Sequence, residues 1–225
     1  MPIQYVCSIT TADMINIVAP GNGAASIQAL QGKILTAPQS TGTYRMMRAV
    51  IKEINGIDIE KEMTVQNVDN PAASVTLVMS SRSDAALSWE PNISSGIKRV
   101  PDLRVLYNTG EEYRKKFGLD LPYFGVAVRK EVAARDPGLA GRIDKAFAEC
   151  LNGILGNVDE AVNIAGKNSG IPPDVLKLAI SLGRLRFKHA SMASDAGKQT
   201  SNKGAEVLVR NGLLPRALDA GFFAA

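Results

Sequence analysis

The sequence has few of the residues used by metal sites, disulfide frameworks and cysteine or histidine catalysis. Its 225 residues include two cysteines, Cys7 and Cys150, and a single histidine, His189. Neither cysteine belongs to a CxxC pair, and no histidine stands close to one in sequence. This spacing argues against a zinc site and against a Cys–His catalytic pair. We expect two free, buried thiols, with a single disulfide as the alternative, and no metal or cofactor.

The chain also lacks the signals of membrane and nucleic-acid proteins. No apolar run reaches the roughly 18 residues that a transmembrane helix needs, and the opening stretch MPIQYVCSITTADM lacks the basic and apolar regions of a secretion signal. The 26 basic residues exceed the 22 acidic ones by four, but no five basic residues are consecutive. Basic side chains scattered in this way indicate solvated faces, so we expect no nucleic-acid partner.

What is present is the composition of a globular protein, with 45% hydrophobic and 21% charged residues and a length that allows two lobes. Residues 32–108 alternate between strand and helix patterns, and this alternation predicts an open, mostly parallel sheet in an α/β fold. The predicted strands are GKILTAP (32–38), MTVQNV (63–68), DAALSW (84–89) and LRVLYN (103–108). The predicted helices are TGTYRMMRAVIKEI (41–54), ended by Asn-Gly, and AASVTLVMSS (72–81), capped by Asn70 and Pro71.

The pattern changes after residue 122. One more strand is predicted in YFGVAVRK (residues 123–130), and from there the chain reads as helical to its end. Three stretches, at residues 137–155, 172–183 and 195–214, carry apolar residues at helical spacing. A second, helix-rich part therefore follows the α/β part.

Three polar segments leave the carboxyl ends of predicted parallel strands: PQSTGT, NVDNPA and SWEPN. Because such ends share one edge of a sheet, and ligands of open α/β sheets bind beyond that edge, the segments predict a binding site there. In the first segment Ser40, Thr41, Gly42 and Thr43 precede a helix. Either a hydroxyl caps that helix, or the free amides and hydroxyls also hold an anion; the segment lacks the pattern of a nucleotide P-loop.

The other two segments leave similar alternatives open. Asn67 and Asp69 are either strand-end and capping residues or ligand contacts. Trp89, the only tryptophan, is either a core residue or an apolar wall of the site with the Glu90 carboxylate beside it.

Two further features are less informative. Thr10 and Thr11, in CSITTADM, are either turn residues or ligand contacts. For His189 we expect a surface or packing role, since no carboxylate partner is evident in the sequence around it.

Longer segments resemble a known family. These are IQALQGKILTAPQSTGTYRMMRAVIKE, VDNPAASVTLVMSSRSDAALSWEP, PYFGVAVRKEVAARDPGLAGRIDKAF and VLVRNGLLP. Together they resemble periplasmic solute-binding proteins of ABC importers, of the nitrate, sulfonate and taurine type, over nearly the whole chain. DAALSWEP is the most specific of the matching pieces.

The resemblance implies a type II periplasmic-binding-protein fold with one complete doubly wound lobe and a partial, helix-rich second lobe. Residues 1–20 would be a crossing segment and a remnant of lobe one, residues 21–122 lobe two, and residues 123–225 the return strand and the carboxy-terminal helices of lobe one. The family's usual amino-terminal part of lobe one has no counterpart, which implies an exposed face and possible self-association. The resemblance implies a periplasmic location, whereas the sequence as given would be cytoplasmic or amino-terminally truncated.

The function implied is the binding of a small anionic organic solute by lobe closure, for delivery to a permease and its ATPase, without catalysis. The resemblance assigns ligand contacts to Ser40, Thr41 and Thr43, to Asn67 and Asp69, to Trp89 and Glu90, and more weakly to Thr10 and Thr11. Gly-Thr-Tyr at residues 42–44 departs from the family pattern and leaves the solute open. The alternatives are an enzyme on the same fold, similar to thiamine pyrimidine-precursor synthases or a desulfinase using Cys7, and a degenerate interaction module.

Overall fold

Two β-sheets flanked by helices make up the chain, described for residues 2–224 by a computed structural model. The strands are β1 (Ile3–Thr10), β2 (Ile15–Pro20), β3 (Ile34–Ala37), β4 (Thr64–Asn67), β5 (Ala85–Trp89), β6 (Leu103–Asn108), β7 (Gly125–Arg129) and β8 (Phe187–Ser191). The helices are α1 (Gly42–Asn55), α2 (Ile59–Glu62), α3 (Pro71–Met79), α4 (Asn92–Arg99), α5 (Thr109–Phe117), α6 (Lys130–Arg135), α7 (Leu139–Gly156), α8 (Val158–Ser169), α9 (Pro173–Ser181) and α10 (Asp195–Arg210).

The larger sheet has the strand order β4-β3-β5-β2-β6. β3 is parallel to both β4 and β5, whereas β2 is antiparallel to its neighbours β5 and β6. Four of the five strands therefore run in the same direction, and the predicted α/β fold with a mostly parallel sheet is confirmed.

Both faces of this sheet are covered, which explains the continuous apolar runs of its central strands. Ile17 and Leu87 belong to the main core, together with the buried side of α1. Val18 and Ala86 point to the opposite face and pack with apolar residues of α3 and α4. A strand that alternated polar and apolar residues would instead present polar side chains to one of these covered faces.

Helix α1 follows the predicted pattern and positions the loop that precedes it. Tyr44, Met47 and Ile51 are buried at helical spacing. Thr41 is the N-cap, and Gly56, with φ +72°, ends the helix in the left-handed conformation that glycine adopts without strain. The bounds of α1 thus agree with the sequence-based prediction.

The smaller sheet, with the order β7-β1-β8, is antiparallel throughout. The prediction that the chain is helical from residue 131 to its end is wrong at Phe187–Ser191, which pair with β1 as β8. This strand is short and half polar, so its conformation depends on pairing with β1 rather than on a local pattern. Helices α4 and α5 were also absent from the sequence-based prediction.

Two short connections join the sheets. Residues 11–14 lead from β1 to β2, and residues 118–124 lead from α5 to β7. Because β2 is a strand of the larger sheet, we propose that the first lobe boundary falls at residues 11–14 and not at residue 20; residues 1 and 225 of the predicted ranges lie outside the described part. Within that part, no helix is both long and apolar enough to cross a bilayer.

Candidate functional site

The loops that follow β3, β4 and β5 lie next to one another at the carboxyl edge of the larger sheet. The Gln39 amide donates to Asn67 Oδ1 over 3.0 Å, which ties the first loop to the second. Ser88 Oγ donates to the carbonyl of Pro71 over 2.9 Å, which ties the end of β5 to the start of α3. We call these three loops the rim: residues 38–43, 67–72 and 88–92.

Thr41 caps α1, so the capping alternative is confirmed for this residue. Its hydroxyl accepts from the Tyr44 amide at 3.2 Å and donates to the Pro38 carbonyl at 2.8 Å. Capping leaves the amides of Gly42 and Thr43 without an acceptor inside the helix, as at every helix amino terminus. Ser40 and Gly42 are exposed, so this end of α1 is open to a ligand.

Thr43 links the rim to the return connection between the sheets. Its hydroxyl and the Tyr123 hydroxyl are 2.5 Å apart. Burial raises the pKa of the Tyr123 phenol, and the hydrogen bond with Thr43 offsets only part of that effect. Since the Thr43 hydroxyl already has this partner, its backbone amide is the group left for a ligand.

The second rim loop combines a cap with exposed polar groups. Asn70 Oδ1 accepts from the Ala73 amide at 2.9 Å, and Pro71 is the first residue of α3, both as predicted. Asp69 is exposed beside this cap, and Asn67 is exposed with its Oδ1 engaged by Gln39. Asn67 therefore keeps its amide nitrogen for a ligand, and Asp69 keeps its carboxylate.

Trp89 lies between the main core and the rim. It ends β5 at the rim, is partly exposed, and packs against the main core. The backbone of Trp89 pairs with Ile15, and its carbonyl accepts from Asn92 Nδ2 at 3.2 Å. Trp89 is therefore held by the core and by β2, and part of the residue stays exposed.

Glu90 is a buried structural carboxylate, only 1% exposed. Its Oε1 accepts from Arg184 Nε at 2.6 Å and from Ser94 Oγ at 3.0 Å, and its Oε2 accepts from the Ser94 amide at 3.0 Å. Arg184 Nη2 also donates to Ser94 Oγ at 3.0 Å. With both oxygens engaged, Glu90 ties the third rim loop to α4 and to Arg184.

Thr10 and Thr11 are buried at the crossing between the sheets. Thr10 Oγ1 accepts from the Phe124 amide at 3.1 Å, and Thr11 Oγ1 donates to Asp13 Oδ2 at 2.5 Å. Both hydroxyls are therefore engaged in contacts that hold the crossing together.

A charged network at the same crossing was not identified from the sequence. Buried Asp13 accepts from Arg114 at 2.8 and 3.2 Å, and Arg114 also contacts Asp120 at 2.5 Å. Burial raises the pKa of Asp120, but hydrogen bonds from Lys188 and Arg114, together with the charges of Arg186 and Lys188, hold that pKa below its usual range. The network joins α5 of the larger sheet to β8 of the smaller one, and its members are Asp13, Arg114, Asp120, Arg186 and Lys188.

Both thiols are free, as expected, but other expectations about cysteine and histidine are wrong. Cys150 is exposed rather than buried. His189 does have a carboxylate partner, since its Nε2 lies 2.9 Å from Asp144 Oδ1. Cys7 joins this pair, so a cysteine and the histidine do cluster in space although they are far apart in sequence.

Cys7 is poorly suited to act as a nucleophile. It is fully buried, and burial, followed by the nearby Asp144 charge, raises the pKa of its thiol to about 11. A catalytic cysteine needs the opposite conditions, a lowered pKa and partial exposure.

A cavity of about 600 Å³ lies at the other, amino-terminal edge of the larger sheet. Its lining includes Lys33, Arg82 and Asp84. It is therefore separate from the rim.

The fold is similar to that of solved periplasmic binding proteins. The chain is similar in structure to the periplasmic aliphatic sulphonate binding protein SsuA of Escherichia coli, with a TM-score of 0.77 and 14% identity, covering 100% of this chain and 69% of that one. It is also similar to the alkanesulfonate-binding protein SsuA of Xanthomonas axonopodis pv. citri bound to MOPS, with a TM-score of 0.69 and 17% identity, covering 96% and 71% of the two chains. The fold predicted from the sequence is thus confirmed.

One of the similar structures with this fold is an enzyme. The desulfurization enzyme DSZB matches with a TM-score of 0.63 and 12% identity, covering 100% of this chain and 77% of that one. No family model matches the sequence, and no curated protein does. At these identities the likeness establishes the fold, and the function has to be argued from the rim.

Proposed function

We propose that the protein is the solute-binding component of an ABC-type importer and that the rim binds a small organic anion. The observation that carries this proposal is the meeting of three loops at the carboxyl edge of a mostly parallel sheet, with the open amino terminus of α1 among them. Ligands of open α/β sheets bind at this edge.

The amino terminus of α1 supplies the electrostatic attraction. Its first-turn amides and helix dipole favour a negative group, and no acidic residue in the first turn opposes it. Arg45 is exposed in that turn and adds a positive charge. We assign the anionic end of the solute to the amides of Gly42 and Thr43 and to the Ser40 hydroxyl.

The rest of the rim would hold the body of the solute. Trp89 offers a flat apolar surface, while Asn67 and Asp69 offer polar contacts beyond it. Asp69 would favour a solute with a positive group at its far end. Thr41, Glu90, Thr10 and Thr11 would act indirectly, by holding the helix, the rim and the crossing in place.

Solute binding would bring the two lobes together by rotation about the two connections, residues 11–14 and 118–124. A permease and its ATPase would then receive the closed protein, which implies a periplasmic location. The similar structures give no support to self-association.

Sulfonates are the first solutes to test, because two similar structures are named for binding them. Titration with ethanesulfonate, taurine and nitrate, followed by tryptophan emission, should give a saturable change for at least one of them, since Trp89 is the only tryptophan. Ethanol and ethylamine, which lack the anionic group, should give none.

Calorimetry detects binding even where the tryptophan emission does not change, and a Trp89→Phe variant tests whether Trp89 contributes to it. Binding that is weaker in this variant than in the unmodified protein supports the rim site. The proposal fails if calorimetry of the unmodified protein detects no anion of the panel, or if the neutral compounds bind equally well.

An enzyme that uses Cys7 is the alternative suggested by the desulfurization enzyme of the same fold. The burial and raised pKa of the Cys7 thiol weigh against it.

A further inference from the structure

Three side chains with metal-binding atoms meet on one face of the smaller sheet. Cys7 of β1 pairs with Ser191 of β8. His189 lies two residues before Ser191 and therefore points to the same face as Cys7. Helix α7 packs against both strands and brings Asp144 to that face. Each ligand thus comes from a different element: β1, β8 and α7.

The separations are close to those of a metal site. One ligand atom from each residue, the Cys7 sulfur, a His189 ring nitrogen and an Asp144 oxygen, lies within 4.8 Å of the other two. Zinc bonds of about 2.0 to 2.3 Å in tetrahedral geometry place ligand atoms about 3.5 Å apart. The His189–Asp144 pair, now at 2.9 Å, would have to open by a few tenths of an ångström, and Cys7 would have to approach.

The position of Asp144 in α7 is unusual for a carboxylate. Ala140 and Leu151 of α7 are buried, and Ile143 and Phe147 pack against the apolar cluster that contains Cys7. Asp144 lies one turn after Ala140 on this packed side and is itself only partly exposed. Acidic side chains at such positions are seldom buried without a partner; here the partner is His189, and the Cys7 thiol lies beside the pair.

We propose that Cys7, Asp144 and His189 bind one Zn²⁺ ion, with a water molecule in the fourth tetrahedral position. Sulfur, imidazole and carboxylate ligands together favour zinc over magnesium or calcium, which prefer oxygen ligands only. The ion would displace the thiol proton, as coordination does. It would link β1, β8 and α7 and so stabilise the smaller sheet. The site is in the smaller sheet and not at the rim, so the zinc proposal does not depend on the solute proposal.

Cobalt titration tests the site directly. The protein is first treated with a chelator and a phosphine reductant, and the chelator is removed. The protein is then titrated with Co²⁺, and zinc is added afterwards as the competitor. We expect one cobalt per chain, absorption bands of tetrahedral cobalt, a thiolate-to-cobalt band in the near ultraviolet, and displacement by zinc. Asp144→Asn and His189→Gln should weaken binding about 10- to 100-fold, and Cys7→Ser should abolish the thiolate band.

The matched control is Cys150→Ser, which removes the other, exposed thiol and should leave every signal unchanged. Circular dichroism establishes that each variant is folded. If Cys7→Ser does not fold, the variants at Asp144 and His189 still test the site, because both side chains are partly exposed. The proposal is overturned if the unmodified protein gives no saturable cobalt bands, or if Cys150→Ser removes the thiolate band while Asp144→Asn and His189→Gln retain it.

Discussion

Replacing Arg184 by methionine is expected to lower the free energy of unfolding by about 3 to 5 kcal/mol, the usual cost of leaving one charge of a buried ion pair without its partner. Glu90 is 1% exposed and Arg184 is 8% exposed, so water cannot replace the lost guanidinium. The Glu90 carboxylate would keep only its two hydrogen bonds from Ser94. Urea unfolding followed by circular dichroism measures the loss.

Lys98→Met is the matched control for this change. Lys98 of α4 pairs with Asp174 of α9, but both side chains are substantially exposed, at 39% and 61%. Exposed pairs of this kind contribute about 0 to 1 kcal/mol. The double variant Glu90→Gln/Arg184→Met should recover part of the loss, because no charge stays buried. If Arg184→Met lowers the free energy of unfolding no more than Lys98→Met does, the buried pair is not what stabilises the rim.

Replacing Gly42 by proline is expected to weaken binding of the anionic solute about 10- to 150-fold, which corresponds to one lost hydrogen bond to a charged group. Gly42 is the first residue of α1, where proline is well tolerated in helices. Thr41, the residue before it, is already extended, with φ −86° and ψ 152°, as a residue preceding proline must be. The variant thus removes one amide donor and leaves the helix intact.

Gly42→Ala is the matched control, because alanine keeps the amide. A Cβ atom at this position would meet no atom within 4 Å, so alanine creates no clash. Calorimetric titration with the sulfonate that binds best to the unmodified protein compares the three proteins, and thermal unfolding establishes that they are equally stable. Equal affinities for the alanine and proline variants would show that the Gly42 amide does not contact the solute.

Features encoded by local sequence were predictable. Thr41, Gly56 and the Asn70–Pro71 pair mark the ends of α1 and the start of α3, because capping depends only on residues within a few positions. The adjacency of the three rim loops also followed from topology, since parallel strands end at the same edge.

Features that depend on distant pairing were not predictable. Strand β8 owes its conformation to β1, more than 170 residues earlier in the chain. The sequence predicts that Glu90 lies beside the ligand, but its carboxylate is buried and paired with Arg184, 94 residues away. The partner of His189 lies 45 residues before it, on another element. Nothing in the sequence near these residues identifies their partners.

The most direct test of the proposed function is to follow backbone amide resonances of ¹⁵N-labelled protein during titration with a sulfonate. The account predicts that the amides of Gly42 and Thr43 shift downfield and saturate together, with smaller changes at Trp89, because these groups would contact the anion. Saturating shifts at Lys33 and Arg82 instead, beside the cavity at the opposite edge of the sheet, with Gly42 and Thr43 unmoved, would contradict the central claim that the rim binds the solute.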